Sequence, residues 1–288
     1  MSDYDLVGNI AIIKSEKNGK KKSGAEKLRE AHALLALPTV KTVLEKASRV
    51  KGRLRKIAVR YLLGEKTTVA LYKENNCSFL VDVATCYFSP RLANDRKEIA
   101  EKIKNPEGFF KPSIAHMKNK KAAIEAIKKT DKVLCLFAGV GVYPVVIWRN
   151  ARVRKIVAIE LSKQCCTYFK KNLKLNKISE DAIEIIQGDV AKKINPAFVK
   201  KQGKFDVIVM TRPNLQKSFL REGLLASRKG GRIFYHGFCH EDDLKELIRD
   251  LEKEAYTLGK KIKIASVKKI GDIAPYKFRY RIEIKVLD

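Results

Sequence analysis

Acidic residues are in short supply in this 288-residue chain: 32 Asp and Glu face 61 Lys and Arg, a net charge of +29. Such an excess repels itself unless a polyanion meets it, so nucleic acid is the expected partner. No apolar stretch approaches the roughly 18 to 20 residues that span a bilayer. The N-terminus also places its apolar run before its basic one, the reverse of a signal peptide. A soluble, cytoplasmic protein without a membrane role is therefore expected. The six cysteines include no C-x-x-C pair and fall mostly inside apolar runs, which predicts reduced thiols. There is no internal repeat. What is present is 45% hydrophobic residues, enough to bury a core in one large or two modest domains and to exclude disorder and collagen-like structure.

The first third mixes short β-like runs with basic, helix-like ones. Leu6 to Ile13 alternates as a strand, Gly19 to Gly24 is a lysine-rich loop, and Ala25 to Leu37 has helical spacing that stops before Pro38. Thr67 to Tyr72 and Ser78 to Ala84 read as strands around the turn Lys73-Glu74-Asn75-Asn76. This predicts a small α+β domain over 1–94, followed by a helical connector or insertion over 95–131. From Lys132 the texture changes to apolar runs alternating with amphipathic helices, which predicts an α/β domain over 132–288 with a mostly parallel sheet. Lys261 to Ile270 and Phe278 to Val286 close the chain, joined by Gly271 to Pro275. The last strand is expected to run antiparallel, at or near an edge.

The run Phe137-Ala138-Gly139-Val140-Gly141 lies between a strand and a helix, where glycines let backbone N–H groups approach a ligand. Alone, G-x-G is a weak signal. Here a second strand ends in Glu160, placed to accept from both ribose hydroxyls, and a third ends in Gly188-Asp189, placed to meet an adenine amino group. The third glycine of the dinucleotide fingerprint is replaced by Pro144, which speaks against a cofactor whose pyrophosphate sits on the helix start. S-adenosyl-L-methionine carries no phosphate and fits the three signals.

The segments KTVLEKASRVKGRLR (Lys41 to Arg55), YFSPRL (Tyr87 to Leu92), LFAGVG, AIELS, GDV and IAPYKFRYRIEIKV together resemble the archaeal and eukaryotic tRNA guanosine-37 N1-methyltransferase family. The similarity runs over most of the chain. It implies a class I, Rossmann-like methyltransferase domain preceded by a small α+β RNA-binding domain, acting next to the anticodon. Arg91-Leu92 stands where the wybutosine-pathway aminocarboxypropyl-transferring relatives have Gly-Asn.

Methylation of N1 removes a proton from a weakly acidic ring nitrogen while charge builds on O6, so a base and a cation are needed. By resemblance, Arg55 contacts O6, Asp95 takes the proton in place of the family's glutamate, Arg91 orients Asp95 or binds phosphate or cofactor, and Thr211 contacts the base. Tyr87, Phe137, Gly139, Gly141, Glu160 and Asp189 complete the cofactor set. Three departures stand out: Asp95 shortens the base by one methylene, Cys135 replaces an aspartate at the end of the first strand, and Thr211-Arg212-Pro213 replaces Asn-x-Pro. The 95–131 segment is longer than its counterpart, and the small domain that inspects the tRNA elbow in many members is not expected here.

Eight Lys or Arg against Glu45 between Thr39 and Arg60 point to phosphate binding, with Lys51, Arg53 and Lys56 as candidates. His236, Cys239 and His240 lack a nearby fourth ligand, so no metal is expected. The expected partner is the tRNA anticodon stem-loop and the expected state a monomer. Two alternatives stay open: a methyltransferase acting on a wyosine-pathway form of guanosine 37, and a tRNA-binding paralogue with weak or no turnover.

Overall fold

The protein is described here from a computed structural model that covers residues 4–17, 20–48, 57–105, 131–213 and 216–288. The chain divides into two compact units, one of residues 1–91, 139–142 and 162–178, the other of 92–138, 143–161 and 179–288.

In the first unit, β1 (Tyr4–Val7), β2 (Ile10–Lys14), β5 (Thr42–Lys46) and β6 (Val59–Gly64) form a sheet in that order. The expected single strand over Leu6 to Ile13 is a hairpin instead. Gly8 turns it with φ +55°, at a place where a Cβ would lie 2.0 Å from the Leu71 carbonyl oxygen, a position only glycine can hold. Two-residue strands β3 (Glu16–Lys17) and β4 (Lys20–Lys21) lead to α1 (Gly24–Leu35). A reciprocal Ser23–Glu26 capping box starts α1, which buries Ala31 and Leu34 against Ala11, Ile13 and Val43. β7 (Val69–Glu74) and β8 (Cys77–Asp82) pair tightly around Asn75 and Asn76, both at positive φ.

A helix from the second half of the sequence completes this unit: α4 (Lys163–Leu175), capped by Ser162. Its Asn172 accepts from Leu80 N at 2.7 Å and donates to Leu80 O and Val140 O. Asn176, just past the helix, makes the equivalent pair with Ser78 N and O at 3.0 and 2.7 Å. The two amides thus satisfy alternate backbone groups of β8 as a neighbouring strand would.

The second unit is built on a seven-stranded sheet. Its order is β11 (Ile183–Gln187), β10 (Val153–Glu160), β9 (Asp131–Leu136), β12 (Phe205–Met210), β13 (Ser227–His240), β15 (Lys277–Val286) and β14 (Ile262–Ala274). Every strand runs the same way except β15, which lies antiparallel between β13 and β14. This is the class I methyltransferase arrangement expected from sequence, with β15 one place in from the edge. Helices α2 (Ala93–Lys104), α3 (Val142–Asn150), α5 (Val190–Lys193), α6 (Pro196–Gln202), α7 (Leu220–Ala226) and α8 (Leu244–Thr257) join the strands. The main core packs Leu134, Leu136, Ile208, Met210, Ile233, Tyr235 and Ile282 with Leu224 of α7 and Leu251 of α8. Among the described residues no helix is long and apolar enough to cross a membrane, and the six cysteines are buried and not joined in disulfides.

Candidate active site

The strand order reverses at β9, whose neighbours β10 and β12 lead away in opposite directions. Ligands of open α/β sheets bind outside the carboxyl ends of the strands at such a point. Glu160 closes β10 and is only partly buried, and its carbonyl accepts from Gly188 N at 2.8 Å, which aligns the turn after β11 with the end of β10. Asp189 then caps α5, accepting from Ala191 N at 3.0 Å through one oxygen. Phe137, just past β9, has φ +62° and packs edge-on against Phe219 at 5.0 Å. These three expected cofactor residues all sit at the carboxyl edge of the sheet.

The two glycines after Phe137 serve different ends. Gly139 has φ +56°, and a Cβ there would meet nothing closer than Tyr87 O at 4.0 Å, which leaves open space over the turn. Gly141 has φ +87° and lies under the Phe169 ring of α4, where a Cβ would fall 2.1 Å from a ring carbon. Tyr87 itself is exposed, whereas Phe88 packs edge-on against Tyr72 at 4.8 Å.

Asp95 was expected as the proton acceptor, with Arg91 orienting it or binding phosphate or cofactor; Arg91 pairs with Asp5 at 3.0 Å, and the guanidinium on Asp95 is that of Arg281, at 2.6 Å. The other Asp95 oxygen accepts from the Tyr143 hydroxyl at 2.6 Å and lies 3.1 Å from His236 Nε2. Burial alone would raise the carboxyl pKa, but His236, Tyr143 and Arg281 outweigh it and hold Asp95 well below the usual carboxylate range. Both Asp95 oxygens are therefore engaged within the fold. Burial, helped by Arg279 and Arg281 and opposed by Asp95, depresses the His236 pKa, so the ring is neutral and its Nε2–H donates to Asp95. Arg281 also pairs with Glu98 and Glu283, and Lys102 with Glu283, which fastens α2 to β15. Nothing in the pattern of the sequence pointed to Tyr143, His236 or Arg281 as partners of Asp95.

Thr211 follows β12, and its hydroxyl donates to the carbonyls of Leu136 or Phe137, at 3.3 and 3.2 Å. Its lone pairs are what remain for a substrate. Cys135 is buried within β9, and burial pushes its thiol pKa up, so a neutral group stands where the resemblance implies a carboxylate. Arg55, Lys51, Arg53 and Lys56 lie outside the described residues.

A family model described as the TRM5/TYW2 methyltransferase domain matches residues 109–264. The chain belongs to this family. It is 28% identical to the tRNA (guanine(37)-N(1))-methyltransferase Trm5b of Pyrococcus abyssi, over 99% of this chain and 75% of that one. It is 27% identical to the Nanoarchaeum equitans tRNA (guanine(37)-N(1))/4-demethylwyosine(37)-methyltransferase Taw22, over 99% of both. Among solved structures, that of aTrm5 with tRNALeu superposes with a TM-score of 0.77 at 26% identity, covering 99% of this chain and 72% of that one.

Proposed function

We propose that this protein transfers the methyl group of S-adenosyl-L-methionine to N1 of guanosine 37 in tRNA. The observation that carries the reading is the placement of Glu160 and Asp189 at adjoining strand ends beside the positive-φ turn after β9, in a chain of the TRM5/TYW2 methyltransferase family. Glu160 accepts from the ribose diol and Asp189 meets the adenine. Thr211, with its hydrogen committed to a backbone carbonyl, offers only lone pairs, which suit the N1–H and N2–H donors of guanine and not the N1 acceptor of adenine. Arg55 stabilises charge on O6, and a cation there makes N1 more acidic. We assign Asp95 to anchoring α2 rather than to proton abstraction, so the N1 proton passes to water.

The test is a single-turnover reaction with a guanosine-37 tRNA transcript and an adenosine-37 control, read by nucleoside mass spectrometry. The expected product is 1-methylguanosine from the first transcript only; methyl-free guanosine 37 would overturn the reading. The missing asparagine amide at Thr211 and the dual specificity named for the Nanoarchaeum relative favour a second substrate, a wyosine-pathway guanosine at the same position. The same assay on such a tRNA decides that reading.

A further inference from the structure

Among the described residues between β12 and α7, the most buried polar group is Arg212, which has no role in the reading above. Arg212 is only 5% exposed. Its guanidinium carbon lies 5.2 Å from the centre of the Tyr235 ring and 5.6 Å from that of Phe238, and its Nη1 donates to the carbonyls of Lys217 at 3.2 Å and Pro213 at 3.4 Å. One cation therefore bridges two points of the loop, four residues apart, while stacked aromatics hold the cation. The far end is tied down separately. Lys217 Nζ pairs with the buried Glu222 at 2.6 Å, Ser218 donates to Glu254 of α8 at 2.8 Å, and Phe219 sits at φ +60° against Phe137. At the near end, the Thr211 hydroxyl donates to the carbonyl of Leu136, the last residue of β9, or to that of Phe137 just past it.

Such a loop costs ordering entropy, and Arg212 offsets it in the folded state so that none is spent when substrate arrives. Both bonds leave from the single nitrogen Nη1, so what lysine cannot reproduce is the flat guanidinium that lies against the Tyr235 and Phe238 rings while it donates.

We propose that Arg212 is a positioning residue for the target base: by closing the loop across Pro213 and Lys217 it fixes the direction in which Thr211 presents its lone pairs. The inference rests on the proposal that Thr211 meets the base. It assigns Arg212, the middle residue of the Thr211-Arg212-Pro213 that stands in place of Asn-x-Pro, to shape rather than to contact.

The experiment compares wild type, Arg212→Lys and Arg212→Ala, each with S-adenosyl-L-methionine affinity measured by calorimetry and single-turnover transfer measured at saturating guanosine-37 tRNA. A misplacement of about 1 Å is worth on the order of a hundredfold in rate. The expected result is therefore a loss of that order in Arg212→Ala and a similar loss in Arg212→Lys, with cofactor affinity within about twofold. Millimolar guanidinium chloride should restore part of the Arg212→Ala rate, where sodium chloride of equal ionic strength does not. Trypsin should cut after Lys217 faster in both variants than in wild type. Either variant transferring at the wild-type rate, or a loss that guanidinium leaves unchanged, overturns the inference while the proposed function stands. A wild type that fails to methylate guanosine 37 overturns both.

Discussion

Two carboxylates of the second unit, Glu160 and Asp95, show opposite uses of the same chemistry. Glu160 ends a parallel strand, partly open to solvent, at the edge where the strand order reverses. Asp95 is enclosed by Arg281, His236 and Tyr143 and is 4% exposed. A partly exposed carboxylate at a strand end can be reached by a ligand; an enclosed one is shielded from it. A carboxylate in a matching motif is therefore not sufficient for a base, because its partners decide how strongly it holds a proton.

The contrast can be broken most sharply at Asp95. Removing it in Asp95→Ala leaves a buried guanidinium short of one carboxylate, which should cost roughly 3 to 5 kcal/mol in urea unfolding, whereas Glu160→Ala should stay within about 0.5 kcal/mol of wild type. A second contrast lies in the two glycines. Gly141→Ala should destabilise by about 2 to 4 kcal/mol, from the positive φ and the collision with Phe169. Gly139→Ala should cost only the backbone strain of about 1 to 2 kcal/mol, and the same unfolding measurements separate the two. Calorimetry sharpens the other side of the comparison: Glu160→Ala should weaken cofactor binding by about 2 to 3 kcal/mol. Asp189→Ala should lose less affinity and about 1 kcal/mol of stability with the α5 cap.

The smallest expected effect is a pH dependence. The folded pKa of His236 is depressed, so its neutral state contributes stability that is complete above the ordinary histidine value of about 6.5 and is lost as pH falls below it. The groups that face it are Asp95 from α2, Tyr143 from α3, and Arg279 and Arg281 from β15. Unfolding midpoints between pH 7.5 and 5, on the order of the range where an unperturbed histidine titrates, should fall more steeply for wild type than for His236→Gln.

The features legible in the sequence were those written locally. The alternation of apolar runs and helices, the glycines after β9, and Glu160 and Asp189 at strand ends all lie within short windows. The second unit has the mostly parallel sheet and antiparallel β15 that those windows imply. The first unit was harder. Gly8 splits an apparent strand because of the Leu71 backbone, 63 residues away in sequence, and β5 and β6 flank a segment whose basic residues dominate its pattern. The partners of Asp95 lie 48, 141 and 186 residues away. Asn172 and Asn176 find β8 across more than 90 residues. No periodicity encodes such pairings, so the motif that singled out Asp95 carried nothing of its environment.

Asp95→Asn is the most direct test of the difference between the two carboxylates, because it keeps the shape and removes the charge. Its unfolding midpoint and its single-turnover methyl transfer to guanosine-37 tRNA should be measured together, at a temperature where the variant is folded. If Asp95 is an anchor, the midpoint falls and the folded enzyme transfers within about tenfold of wild type. A general base contributes roughly a hundredfold to ten-thousandfold, so a loss of that size with an unchanged midpoint would contradict the assignment and return Asp95 to the reacting nitrogen.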